Sequence, residues 1–266
     1  MTVLEAGLYP DMPEALYHAD RDSLSVSGAK KLLPPSTPAV FAYERDNPPP
    51  PKDVFDFGSA AHRLVLGVGA DIVRVDAPDW RGKDAQARRK EIRADGGLPI
   101  LAGDLETAEQ MAQAVKDHPV AAGLFAEGMA EVSLFWQDGD VWRRGRYDWL
   151  TQDTIVDYKT AWCAEPETFA RDAAKYGYDM QAAWYLDGAA ALNLDAERFL
   201  FVVQEKTPPY LISVVELDRA SVAAGRAKNA RALEVYANCS VFDQWPGYFE
   251  GVTTVSLPDW SLRGWL

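Results

Sequence analysis

Residues 130–161 constrain this chain most. Three segments rich in β-branched and aromatic residues, AEVSLFW (130–136), VWRRGRYDWL (141–150) and TIVDYKT (154–160), follow one another with only three or four residues between them. Such segments suit strands, and links this short can join only antiparallel neighbours. The Asp138-Gly139 pair within QDGD is a strong hairpin turn, and the polar TQDT supplies the second turn.

The second hairpin has chemical consequences. A turn centred between Gln152 and Asp153 sets Asp148 directly opposite Asp157, with Cβ atoms roughly 4.5–5.5 Å apart. Lys159 lies two residues beyond Asp157, and strand alternation returns it to the same face. Two opposed carboxylates repel and need a cation. Mg²⁺ fits, because it takes one or two carboxylates together with waters and phosphate oxygens. Lys159 could then orient or deprotonate a water, or stabilise charge on a phosphate. The same three residues also suit a solvated hairpin whose lysine neutralises two surface aspartates.

Elements around the hairpins follow from local signals. SLSVSGAKKLLP carries a serine cap before a short helix, prolines bracket another at Ala39–Arg45, and Pro48–Pro51 forms a rigid surface connection. FDFGSAAHRLVLG (55–67) is helical in pattern, with Phe57, Ala61, Leu64 and Val65 near one face. A helix from Leu105 ends near His118, and Pro119 separates it from a second short one. Strands are expected only from residue 130 onward. After the third strand come two helices divided near Gly177, two strands (FLFVVQEK and YLISVVEL) joined by TPP, an amphipathic helix over 220–239, and a Trp-rich irregular tail. This order predicts an α/β domain, a mixed sheet flanked by helices. One domain over 1–266 is expected, with a helical part at 1–129 and a core at 130–266.

The chain has a formal net charge of −13, which disfavours non-specific attraction to nucleic acid. Residues 81–93 run against that trend: Arg81, Lys83, Arg88, Arg89, Lys90 and Arg93 stand against Asp84 and Glu91, a local net of +4. Phosphate binding and a solvated helix face both suit such a run. With no long apolar run and no secretory signal pattern, a cytoplasmic protein without membrane contact is expected. Cys163 and Cys239 are too few for a four-cysteine metal or iron–sulfur site.

Six motifs in order, SVSGAKKLL with STPAVF, FGSAAHRLVLG, AEVSLFW, GRYDWL, VDYKT and YDMQAAWYL, resemble the PD-(D/E)XK nuclease superfamily. The resemblance is to phage and prophage exonucleases related to exodeoxyribonuclease VIII (RecE) and, more distantly, to RecB-type nuclease domains. It implies a restriction-endonuclease-like core. It also implies that His62, Asp148, Asp157 and the Tyr158 backbone carbonyl hold Mg²⁺, for which Mn²⁺ can substitute, and that Lys159 is the signature lysine. Gln181 and Tyr185 match a Q-x-x-x-Y element that holds Lys159 or contacts DNA, and Glu131 matches a supporting acidic residue. Arg81, Lys83, Arg88, Arg89 and Lys90 occupy the place of phosphate-contacting residues.

The activity so implied is metal-dependent 5′-to-3′ digestion of linear double-stranded DNA. It would leave 3′ overhangs for phage-type recombination, by a ring-shaped homo-oligomer acting with a single-strand annealing protein. Competing readings are a RecB-like repair nuclease without an iron–sulfur cluster, a catalytically silent DNA-binding scaffold, and a carbohydrate hydrolase using paired carboxylates and some of the nine tryptophans.

Overall fold

In the computed structural model, which describes residues 5–48 and 56–263, the chain runs through β1 (Gly7–Tyr9), α1 (Glu14–Ala19), β2 (Leu24–Ser25), α2 (Val26–Lys31) and α3 (Pro38–Asp46). The serine cap expected for α2 is Ser25, whose Oγ accepts the Gly28 N–H. Thr37 caps α3, and Pro38 fills its first turn, where a missing N–H costs nothing. Residues 49–51 of the proline-rich connection and Phe55 lie outside the described residues. Then come α4 (Asp56–Leu66), β3 (Ile72–Val75), α5 (Lys83–Ala94), β4 (Leu98–Leu101), α6 (Ala102–Asp117) and α7 (Ala121–Leu124), with the last two divided at His118 and Pro119.

Strands therefore occur before residue 130, contrary to expectation. β1 joins the edge of the main sheet beside β5 (Met129–Asp138), β2 adds two parallel pairs to β6 (Val141–Leu150), and β3 and β4 form a separate two-stranded parallel sheet. Segments of two to four residues are too short for alternation to distinguish them from loops.

The remaining elements are β7 (Thr154–Ala161), α8 (Pro166–Tyr176), α9 (Tyr178–Ala191), β8 (Arg198–Glu205), β9 (Ile212–Glu216), α10 (Arg219–Phe242) and the single turn α11 (Asp259–Leu262). Gly139, at φ +58°, closes the β5–β6 hairpin. Gly177, at φ +66°, ends α8 and starts α9, a left-handed backbone that glycine adopts without cost.

The main sheet has the order β1-β5-β6-β7-β8-β9, with β5–β6–β7 antiparallel, β7–β8 parallel through the α8–α9 crossover, and β8–β9 antiparallel. This is the mixed sheet expected. β8 is buried on both faces, as a central parallel-paired strand should be. One face packs Leu134, Tyr147, Ile155, Phe199 and Phe201 against α2, α8, α9 and α10 through Val26, Phe169, Trp184 and Ala232. The opposite face packs Val156, Tyr158 and Val202 against α4 and α6 through Ala61, Met111 and Val115. Where α10 crosses the start of α9, Gly225 leaves no room for a side chain: a Cβ there would lie 2.1 Å from the Asp179 carbonyl oxygen. Asn229, one turn on, donates to the Met180 carbonyl at 3.0 Å.

Candidate active site

β6 and β7 pair in the expected register, Trp149 with Val156 and Leu150 with Ile155. The ladder ends there. Asp148 and Asp157 do not form the next backbone pair; instead the Asp148 Oδ2 accepts the Tyr158 N–H at 2.9 Å, a side chain taking the place of a strand. The neighbouring strand is disturbed at the same level. Glu131 adopts φ +53°, a left-handed conformation unusual for a non-glycine residue, and interrupts the β5–β6 ladder opposite Asp148. Such strain persists only where surrounding structure imposes it and gathers at functional sites.

The gap so opened is lined from both layers. From one side α4 projects His62, whose Nδ1 lies 3.7 Å from the Asp148 Oδ2. Its ring meets the Tyr158 ring edge-on, with centroids 5.1 Å apart. α4 is fixed at its first turn, where Asp56 accepts from Arg89 and Arg93 at 2.7 and 2.8 Å. From the other side α9 supplies Gln181, which donates to the Asp157 Oδ1 at 2.5 Å, and Tyr178, whose ring lies 5.2 Å beneath the Lys159 ammonium. Lys159 itself pairs with the Asp157 Oδ2 at 2.5 Å.

One ligand atom each from His62, Glu131 and Asp148 lies within 4.8 Å of the others. Glu131 thus stands close enough to His62 and Asp148 to share a cation with them. Its carboxylate is steadied by Arg146 at 2.6 Å, and Arg146 also donates to Ser133 and the Met12 carbonyl. Asp157 is turned toward Lys159 and Gln181, so it links the cluster to the lysine.

The electrostatics of the cluster favour a cation. Burial and then Lys159 hold the His62 ring below its ordinary value, so the imidazole is neutral near pH 7. Burial, then Asp157 and Glu131, push the Asp148 carboxyl well above its ordinary range. Crowded carboxylates that resist ionising together are a cation site in electrostatic terms. One imidazole and two carboxylates suit Mg²⁺ or Mn²⁺. Burial opposes the Lys159 charge, but Asp157 and Asp148 overcome that and raise its pKa.

Other expected residues take different places. Tyr185 is packed against Tyr147 and Phe199, and its backbone carbonyl accepts from the Tyr147 hydroxyl at 3.0 Å. It therefore braces β6 through Tyr147. The Tyr158 ring is buried, donating to Gln204 at 2.5 Å, and only its backbone faces the gap. In the basic segment Arg89 is turned inward onto Asp56 and stacked on Trp80 at 4.4 Å, which removes it from a solvent-facing track. Arg81 pairs with Asp79 and Arg88 with Glu91, whereas Lys83 and Lys90 are exposed. Residues that sequence reasoning overlooked are Lys30, Tyr178 and Arg146. Lys30 stands in a recognised motif, but only the packing of α2 on the α8–α9 junction brings it to the site.

The sequence profile of a family described as a PDDEXK-like domain of unknown function (DUF3799) matches residues 25–258. Among solved structures, a candidate exonuclease from Eubacterium rectale is 13% identical, with 96% of this chain and 99% of that one covered and a TM-score of 0.62, a likeness of fold. A phage-related exonuclease from Haemophilus somnus is 14% identical over 84% of this chain and 96% of its own, with a TM-score of 0.34. An alkaline exonuclease from Laribacter hongkongensis is 15% identical over 72% and 96%, with a TM-score of 0.31. A comparison with curated proteins finds no match.

Proposed function

The chain belongs to the PDDEXK-like family, matched over residues 25–258, and from that membership we propose that it is a divalent-metal-dependent DNA exonuclease. The observation that carries the proposal is the His62, Glu131 and Asp148 donor cluster at the end of the β6–β7 ladder, beside the Asp157–Lys159 pair. Mg²⁺ or Mn²⁺ held by His62, Glu131 and Asp148, with Asp157 and the Tyr158 carbonyl at hand, would supply positive charge to a phosphate oxygen and lower the pKa of a water.

The chain's own groups do the rest. Lys159, kept protonated by the carboxylates beside it, acts as a donor to phosphate or water and not as a base. Gln181 fixes the Asp157 carboxylate, and through it the lysine. Arg146 fixes Glu131. The neutral His62 ring offers a lone pair without first losing a proton.

The finer reading is 5′-to-3′ digestion of linear duplex DNA in the cytoplasm, giving 5′-phosphate products and 3′ overhangs for an annealing partner in phage-type recombination. A homo-oligomeric ring would keep the enzyme on its strand. The acidic net charge supports this arrangement, because a negative outer surface would confine DNA to the track that leads to the site. Among the described residues no helix is long and apolar enough to cross a membrane.

Linear duplexes labelled at the 5′ or the 3′ end, and a covalently closed circle, test the proposal with Mg²⁺ present. Loss of the 5′ label first, with the circle intact, is expected. Cleavage of the circle, or equal degradation by Asp157→Ala and Lys159→Ala variants, would overturn it.

A further inference from the structure

Lys30 presents an electrostatic problem that the protein itself leaves unsolved. Its neighbours in sequence and space have carboxylate partners: Lys31 pairs with Glu44, Lys159 with Asp157 and Lys228 with Asp179. Among the described residues Lys30 has no hydrogen bond or ion pair, and it is half-buried. Its stem runs across Gly177, where a Cβ would stand 3.1 Å from the Lys30 Cε and 3.4 Å from its Cδ. The left-handed glycine between α8 and α9 therefore does double service, turning the chain and making room for this side chain. The lysine ends over the Tyr178 ring, with Nζ 5.7 Å from the centroid, and Lys159 holds its own Nζ 5.2 Å from that same centroid.

Two ammonium groups gathered on one aromatic ring repel each other. A ring face is worth only about 0.5–2 kcal/mol to a cation, and a half-buried charge without a counter-ion is costly. Burial, then Lys159, bring the Lys30 pKa down to about 8, while Asp157 and Asp179 pull the other way from beyond ion-pair distance. An anion that both ammoniums could share would relieve the repulsion. One such anion is a phosphate diester.

We propose that Lys30 and Lys159 together hold one backbone phosphate of the bound DNA strand, above the Tyr178 ring. This rests on the nuclease reading given above and adds a substrate-binding residue to it. Arginine and lysine contacts to phosphate release counter-ions, so each one contributes to the salt dependence of binding. Lys30 is thus a sequence-independent contact that places the strand beside the lysine of the hydrolytic site. The stem of a methionine at this position would fill the space over Gly177 while removing only the charge.

The test is binding of a short fluorescein-labelled duplex in Ca²⁺, measured across a series of salt concentrations, together with steady-state cleavage in Mg²⁺. It compares wild type, Lys30→Met and Lys30→Arg, each checked for a cooperative thermal transition. Lys30→Met is expected to bind about tenfold more weakly at low salt, with a slope of log Kd against log salt lower by about 0.7–0.9. The weakening is expected to fall mainly on KM, and Lys30→Arg is expected to restore the slope. A wild-type slope in folded Lys30→Met would overturn the inference, as would a loss in kcat alone. A wild type that neither binds nor cleaves the duplex would instead overturn the nuclease reading on which it rests.

Discussion

Replacing Asp148 by asparagine should make the metal-free protein more stable while abolishing its activity. Asp148 and Glu131 place carboxylate oxygens within 4.8 Å of each other. At an effective dielectric constant near 20, two full charges at that distance repel by about 3.5 kcal/mol. Arg146 on Glu131 and Lys159 near Asp148 offset part of this, and the amide oxygen of the asparagine could still accept the Tyr158 N–H. A net gain of about 1–2 kcal/mol is expected for Asp148→Asn near pH 7.5 in chelator, the range usual for relieving a strained functional site.

The pH dependence carries a sign. Burial first, then Asp157, raise the folded Asp148 pKa above its ordinary 3.8. The folded state therefore keeps this proton to higher pH than the unfolded chain does, so wild-type stability declines as pH rises through that window. The advantage of the variant should vanish toward pH 4 and grow toward neutrality. Saturating Mg²⁺ or Mn²⁺ should reverse the order, because metal at a hundredfold excess over Kd adds about 2.7 kcal/mol to wild type alone. Urea unfolding with and without metal, at several pH values, measures all of this. An Asp148→Asn variant less stable than wild type in chelator at neutral pH, or stabilised equally by metal, would refute the reasoning.

Three further outcomes are expected. Gly225→Ala drives a methyl into the Asp179 carbonyl and should cost about 1–3 kcal/mol in urea unfolding; it should also lower kcat, because the displaced start of α9 carries Gln181. Unchanged stability would mean that α10 does not press on α9 as described. Lys30→Met removes a cation whose pKa falls from 10.5 to about 8. The unfolded wild type binds the extra proton between those values, so wild-type stability should rise more steeply from pH 8 to 10.5 than that of the variant, and equal slopes would count against it. Tyr158→Phe deletes the hydroxyl that donates to buried Gln204 and should cost about 1–3 kcal/mol of stability, with kcat unaltered, since only the Tyr158 backbone faces the site; a large fall in kcat would show otherwise.

What was legible in the sequence was local. Asp138-Gly139 and Gly177 mark their turns by conformational preference alone, and the register of the β6–β7 hairpin follows from its short loop. The departures arise from contacts between distant segments. The left-handed Glu131 and the early end of the β6–β7 ladder lie where His62 approaches Asp148 and Arg146 holds Glu131, and no strand pattern encodes that. The local excess of basic residues over 81–93 was legible in the sequence, but Asp56, which draws Arg89 inward, comes from another helix. Lys30 belonged to a motif read as a capped helix, and its role is visible only once α2 lies over Gly177. β1 to β4 are held by their neighbours rather than by a pattern of their own.

The central claim is that His62, Glu131 and Asp148 hold the divalent ion with which this chain hydrolyses DNA. Its most direct measurement is degradation of end-labelled linear duplex DNA in Mg²⁺, Mn²⁺ or chelator by wild type and by folded Asp148→Asn. The account predicts metal-dependent degradation by wild type and at least a thousandfold loss, on the order of 4 kcal/mol in the barrier, in the variant. Degradation that persists in chelator, or that Asp148→Asn performs at the wild-type rate, would contradict it.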